Sequence, residues 1–120
     1  AEIDSGDEQI FYGGGYDHNF ILNNPHQDTL SLAASVFEPT KGIRMEIFTT
    51  EPGIQFYGGN FMDGSDIGKY GKRFLYRESF ALETQHYPDS PNNQSFPNVY
   101  LLPTETYKSS TIYKFTVDWK

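Results

Sequence analysis

Three short stretches of this sequence carry side chains able to do chemistry. In Gly15-Tyr16-Asp17-His18-Asn19-Phe20 an acid, an imidazole and an amide lie between rings, directly after the glycine run Gly13-Gly14-Gly15. Asp17 is either a turn cap beside a hydrogen-bonded histidine or a carboxylate on the lip of a pocket, accepting hydroxyl hydrogen bonds between apolar walls. In Glu83-Thr84-Gln85-His86 a carboxylate ends a strand-like run and leads into Tyr87-Pro88-Asp89-Ser90-Pro91-Asn92. Glu83 is therefore either an exposed rim residue or an acid–base group held on a proline-stiffened scaffold. In Glu51-Pro52-Gly53-Ile54-Gln55-Phe56-Tyr57 a turn leads to a glutamine flanked by rings. That is a packed ring cluster in which Gln55 satisfies a backbone group, or a sugar contact, since sugars pair apolar C–H faces with a fringe of hydroxyls.

Other chemistries find less support. His18, His26 and His86 are far apart and show no metal-ligand spacing. Asp63 and Asp66 with loop carbonyls are the one place for a structural calcium ion, but the twelve-residue EF-hand pattern is absent and a solvated acidic loop accounts for them. No Gly-x-Ser-x-Gly elbow or Ser-His-Asp order occurs, and no helix is expected after the glycine run, so it does not read as a phosphate loop.

Composition narrows the partners. The 120 residues carry 16 acidic and 9 basic side chains, for a net charge of −7. Singly scattered Lys and Arg on an acidic chain give no footprint for a phosphate backbone, so nucleic acid is excluded as a partner class. No apolar run approaches the ~18–20 residues of a membrane-spanning helix. The first nine residues have neither a basic nor an apolar region, so they do not read as an intact signal peptide. With no initiator Met, the chain is expected to be a cut or partial one. Zero cysteines exclude a disulfide framework and thiolate zinc sites. The compartment, cytoplasmic or periplasmic, stays open, because any targeting signal would lie upstream.

The elements that must position these groups read as strands and loops. Aromatic residues make up 17% of the chain, which argues for a folded protein whose core is built largely from rings. Residues 43–48 alternate Ile43, Met45 and Ile47 with Arg44 and Glu46, the period of a half-buried strand. Residues 112–117 are β-branched and aromatic around Lys114, and residues 30–37 and 74–82 are weaker strand candidates. Turns are expected at Asn23-Asn24-Pro25, Glu51-Pro52-Gly53 and Gly58-Gly59-Asn60, and no helix is convincing. Residues 61–72 and 88–97 read as long loops of the kind that often carry function. The spacing fits an all-β sandwich or barrel.

Taken together, these stretches resemble the C-terminal part of the aldose 1-epimerase (galactose mutarotase) family. The resemblance is carried by Gly15-Tyr16-Asp17-His18-Asn19-Phe20-Ile21-Leu22, by Phe48-Thr49-Thr50-Glu51-Pro52-Gly53-Ile54-Gln55-Phe56-Tyr57 with Gly59-Asn60-Phe61, by Leu82-Glu83-Thr84-Gln85-His86-Tyr87-Pro88-Asp89-Ser90-Pro91-Asn92, and by Thr111-Ile112-Tyr113-Lys114-Phe115. The four blocks stand in family order over nearly the whole chain. Thr104 after Pro103 departs from the family's usual glycine.

The resemblance implies an antiparallel β-sandwich, part of a galactose-mutarotase-like supersandwich of which residues 1–120 form a C-terminal portion. It implies interconversion of the α and β anomers of hexoses such as galactose and glucose, with Glu83 as general base and Asp17 and Gln55 as substrate contacts. His18 and His86 lie inside matching blocks as supporting candidates, but the family's acid histidine is neither of them. The partners implied are a hexose and an N-terminal portion of the same protein that supplies the acid. No cofactor is implied, since only protons move. A base with this task needs its proton affinity raised, which partial burial among rings would promote. A carbohydrate-binding module of the same fold, using Asp17 and Gln55 without turnover, is the alternative. A glycoside hydrolase with Asp17 and Glu83 as its carboxylate pair is a more distant one.

Overall fold

The computed structural model describes residues 2–23 and 29–117; His26 and part of the Asn23-Asn24-Pro25 turn lie outside the described residues. The strands are β1 (Asp17–Ile21), β2 (Ser31–Glu38), β3 (Ile43–Thr49), β4 (Gly53–Tyr57), β5 (Ala81–Gln85) and β6 (Thr111–Val117). They form two three-stranded sheets, ordered β1-β4-β5 and β2-β3-β6. The chain divides into two compact units, Ala1–Phe20 with Gln55–Glu83, and Ile21–Ile54 with Thr84–Lys120.

The second unit contains the β2-β3-β6 sheet, and the alternation in residues 43–48 explains it. Antiparallel pairing sets Val36, Met45 and Phe115 side by side, and next to them Ala34, Ile47 and Tyr113. Those positions share one face because successive side chains of a strand point to opposite sides. The other face is mixed, with Ser35, Glu46 and Lys114 beside Leu32, Phe48 and Ile112. There Lys114 reaches Glu46 at 2.8 Å, and the Arg44 guanidinium lies 4.8 Å from the centre of the Phe37 ring. The apolar face is unevenly covered: Ile47 is fully buried, whereas Phe115 is 66% exposed and Ile43, Tyr113 and Val117 are also exposed. At the β2–β3 turn the Glu38 carboxylate accepts the Thr40 and Lys41 amides at 2.7 and 2.6 Å, and Gly42 takes φ +70°.

The first unit opens with a helix the sequence does not announce. Helix α1 (Glu8–Tyr12) spans five residues, too short to display a helical period, and its signal is the cap. The Asp7 carboxylate accepts from the Gln9 and Ile10 amides at 2.9 and 3.3 Å. Strands β1 and β4 then pair. Gly58 N–H donates to Tyr16 O at 2.8 Å, and Leu22 N–H to Pro52 O at 3.0 Å, so numbers rise along one strand as they fall along the other. That is an antiparallel ladder.

The strand expected at residues 74–82 is corrected. Only its end pairs as β5, while residues 74–80 fold back as turns. Arg77 adopts φ +57°, which no strand accommodates. Phe74 instead exchanges backbone hydrogen bonds with the preceding loop, to Gly64 at 2.8 Å and Asp66 at 3.1 Å. The absence of helix is likewise corrected by α1.

The contrast along β3 and β6 gives a stability test. Ile47→Ala should cost about 3 kcal/mol in urea unfolding, because it opens a cavity at a fully buried position. Phe115→Ser should stay within ~0.5 kcal/mol in the same assay. Equal losses would contradict the burial pattern.

Candidate functional site

Asp17 opens β1 and Gln55 sits at the centre of β4, the middle strand of its sheet. The Gln55 Nε2 donates to Asp17 Oδ1 at 2.8 Å. The sequence brings these two groups from 38 residues apart onto one face. The opposite face carries the rings: Tyr16 packs 5.4 Å from Phe56 and 6.5 Å from Phe20, and Phe56 lies 5.9 Å from Phe80, centre to centre. Alternation counted from Phe80 puts Ala81 and Glu83 of β5 on the Asp17–Gln55 face. Glu83 is exposed there, so the described residues do not supply the ring enclosure expected around a base. On the same strand face as Gln55, Tyr57 stacks on Phe61 with centres 6.1 Å apart and planes 13° from parallel, which offers a flat apolar wall.

His18 supports Asp17 from the ring face. Its Nδ1 accepts the Asp17 amide at 2.9 Å and its Nε2 lies 3.1 Å from Gln9 O. Those contacts fix the ring as the Nε2–H tautomer, donating to Gln9 O. His18 therefore links β1 to α1. Asn60, in sequence only part of a turn, is buried and donates to the carbonyls of Gly13 and of Tyr16, the residue before Asp17.

His86 belongs to the second unit, in a polar cluster of its own. Glu51 is 4% exposed, with Oε2 2.7 Å from His86 Nδ1, and it accepts a short hydrogen bond from the Tyr107 hydroxyl. Burial alone would raise the Glu51 pKa. Hydrogen bonds from Ser109 and Tyr107, with the charge and hydrogen bond of His86, outweigh it and hold the carboxyl below its ordinary 4.5. Tyr107 is pushed above its ordinary 10.0, first by its hydrogen bond to Glu51 and then by burial. A hydroxyl chain runs beside this cluster, Thr84 to Thr111 at 2.7 Å and Thr111 to Thr49 at 3.1 Å, and Thr49 Oγ1 accepts the Glu51 amide at 3.1 Å. The sequence presents Glu51 only as the start of a Pro-Gly turn, with nothing to mark it as a buried carboxylate set against His86 and Tyr107.

Among the described residues no group of three or more His, Cys, Asp or Glu side chains is arranged to hold a metal ion. The Asp63 carboxylate is used within its own loop, accepting the Ser65 amide at 2.8 Å.

Residues 3–114 match the family model described as aldose 1-epimerase. The chain belongs to the aldose 1-epimerase family. It is 42% identical over 109 residues to human galactose mutarotase, covering 91% of this chain and 31% of that protein. It is 35% identical over 106 residues to the aldose 1-epimerase of Escherichia coli K12, covering 87% of this chain and 30% of that one. The crystal structure of an aldose epimerase homologue from C. elegans superposes with a TM-score of 0.73 at 26% identity, over 85% of this chain and 30% of that chain. The chain thus spans under a third of the length of these aldose 1-epimerase relatives, and its mainly antiparallel β fold is shared with the C. elegans homologue.

The Glu51 cluster sets a pH dependence. A carboxyl whose pKa is lowered on folding contributes stability above its ordinary 4.5 that is lost as pH falls through the folded value. Tyr107, with its pKa raised, contributes below 10.0 and loses that contribution as pH rises through its folded value. Urea midpoints taken from about pH 6 down to about pH 3 should therefore fall, and Glu51→Gln should flatten that acid limb. At neutral pH the same substitution should cost about 2 kcal/mol, the value of charged hydrogen bonds at a buried site. An unchanged acid limb would show that the pair contributes nothing.

Proposed function

We propose that the protein carrying this chain is an aldose 1-epimerase, an isomerase that interconverts the α and β anomers of hexoses such as galactose and glucose. Membership of the family supports the reaction class. The observation that supports the site is the 2.8 Å hydrogen bond joining Gln55 to Asp17. It holds a carboxylate and an amide side by side, a donor–acceptor set suited to vicinal sugar hydroxyls. Glu83, on the neighbouring strand, is the general base in this reading.

The chemistry needs two positioned groups. Glu83 removes the proton from the C1 hydroxyl while an acid, supplied from outside residues 1–120, protonates the ring oxygen. The C1–ring-oxygen bond breaks to give the open-chain aldehyde. Rotation about the C1–C2 bond presents the other carbonyl face, and closure runs both proton transfers backwards. Asp17 and Gln55 keep the remaining hydroxyls fixed, so that the open chain recloses rather than leaves. Protons are the only species exchanged, which is why this scheme calls for no redox or group-transfer cofactor. The Tyr57–Phe61 stack offers a sugar its apolar C–H face.

For these 120 residues by themselves, the exposure of Glu83 favours sugar binding without turnover. The complete protein is where turnover is expected.

Polarimetry of freshly dissolved α-D-glucose or α-D-galactose tests the proposal. Glu83→Gln in the complete protein should lower kcat by roughly 10²–10⁴-fold, the usual share of a positioned base, with sugar binding retained. Asp17→Asn should chiefly raise KM, by about tenfold, since it removes one charged hydrogen-bond acceptor. Full turnover by Glu83→Gln would end the assignment of the base. Turnover by residues 1–120 alone would end the requirement for an external acid.

A further inference from the structure

We propose that Asn60 is the positioning residue that sets Asp17, and through it Gln55, for the sugar; this rests on the reading of Asp17 as a hydroxyl-binding group. Asn60 follows β4 in the Gly58-Gly59-Asn60 turn and is only 8% exposed. Its Nδ2 donates to Tyr16 O at 2.7 Å and to Gly13 O at 3.2 Å. Two carbonyls in reach of one end of the carboxamide fix that end as the nitrogen. Tyr16 O also accepts from Gly58 N–H at 2.8 Å, so the peptide that enters Asp17 is held by two donors. The N–H of that same peptide donates to His18 Nδ1 at 2.9 Å. With the peptide that enters Asp17 held at both its carbonyl and its N–H, Gln55 fixes the side chain that follows it at 2.8 Å.

The glycines show that the chain is built around this carboxamide. Gly15 has φ +134°, and a Cβ there would fall onto the Asn60 side chain. A Cβ at Gly58 would lie 3.2 Å from Asn60 Oδ1. Among the described residues Oδ1 itself is buried with no hydrogen-bond partner. A buried acceptor without a partner is unfavourable, so what the site gains from this residue is its NH₂ group and its shape. An aspartate of the same shape would set an acceptor against both carbonyls and lose that gain.

A residue that only satisfied two carbonyls would affect stability and nothing else, and this separates the two roles. The complete protein carrying this sequence is labelled with ¹⁵N at glutamine, and the Gln55 side-chain amide is assigned by its loss in Gln55→Glu. In Asn60→Ala and Asn60→Asp the Gln55 amide resonances should move, the galactose KM should rise roughly tenfold and kcat should stay within about twofold. Should both variants fail to fold, Asn60→Ser, which keeps one donor, takes their place with the same expected shift in smaller measure. Unchanged Gln55 resonances in any folded variant would overturn the proposal. If those resonances move while Asp17→Asn leaves the galactose KM untouched, positioning holds and the sugar reading of Asp17 fails instead.

Discussion

The hydrogen bond from Gln55 to Asp17 crosses from β4 to β1, and most of the first unit can be read as the means of making it. A carboxylate and a carboxamide left to themselves would sample many rotamers in water and present no fixed hydroxyl site. Here the strand ladder fixes the two backbones, the ring cluster on the far face anchors the sheet through Tyr16, Phe56 and Phe80, and Asn60 and His18 grip the carbonyl and the N–H of the peptide that enters Asp17. Each of those contacts is within hydrogen-bond or van der Waals range. Together they turn two flexible polar groups into one pre-set donor–acceptor pair, which is the condition for binding a polyol without a large ordering cost.

The second unit follows the same logic with different groups. Its buried carboxylate, Glu51, is held by a phenol and an imidazole rather than by solvent, and a row of threonine hydroxyls runs alongside. A buried charge with these partners is stable only while all of them are present. The segments it joins lie just before β4, just after β5 and just before β6. The apolar face of β2-β3-β6, by contrast, is left with Phe115 and Val117 open to solvent.

Much of the fold could be read from particular residues. Ile43, Met45 and Ile47 announced β3, and the β-branched run around Lys114 announced β6, because each presents one apolar face at period two. β1 and β4 mix rings and polar groups on both faces, so Asp17, His18 and Gln55 are more telling as chemistry than as a strand pattern. Residues 74–80 misled because Phe74, Leu75, Tyr76 and Phe80 are strand-formers by type, while the left-handed backbone at Arg77 has no signature in that residue. Helix α1 was missed because a single helical turn has no period, only the Asp7 cap. At the proposed site, Asp17, Gln55 and Glu83 stand out by type and context. Asn60 and Glu51 did not, since what makes them important is burial and the carbonyls or rings they meet across the fold.

The face that carries Asp17, Gln55 and Glu83 is the proposed sugar site, and a crystal structure of the complete protein with galactose bound tests it most directly. It should show sugar hydroxyls within hydrogen-bond distance of both Asp17 and Gln55, and the Glu83 carboxylate within reach of the C1 hydroxyl. Galactose bound elsewhere, or bound here with Glu83 turned away from C1, would contradict it.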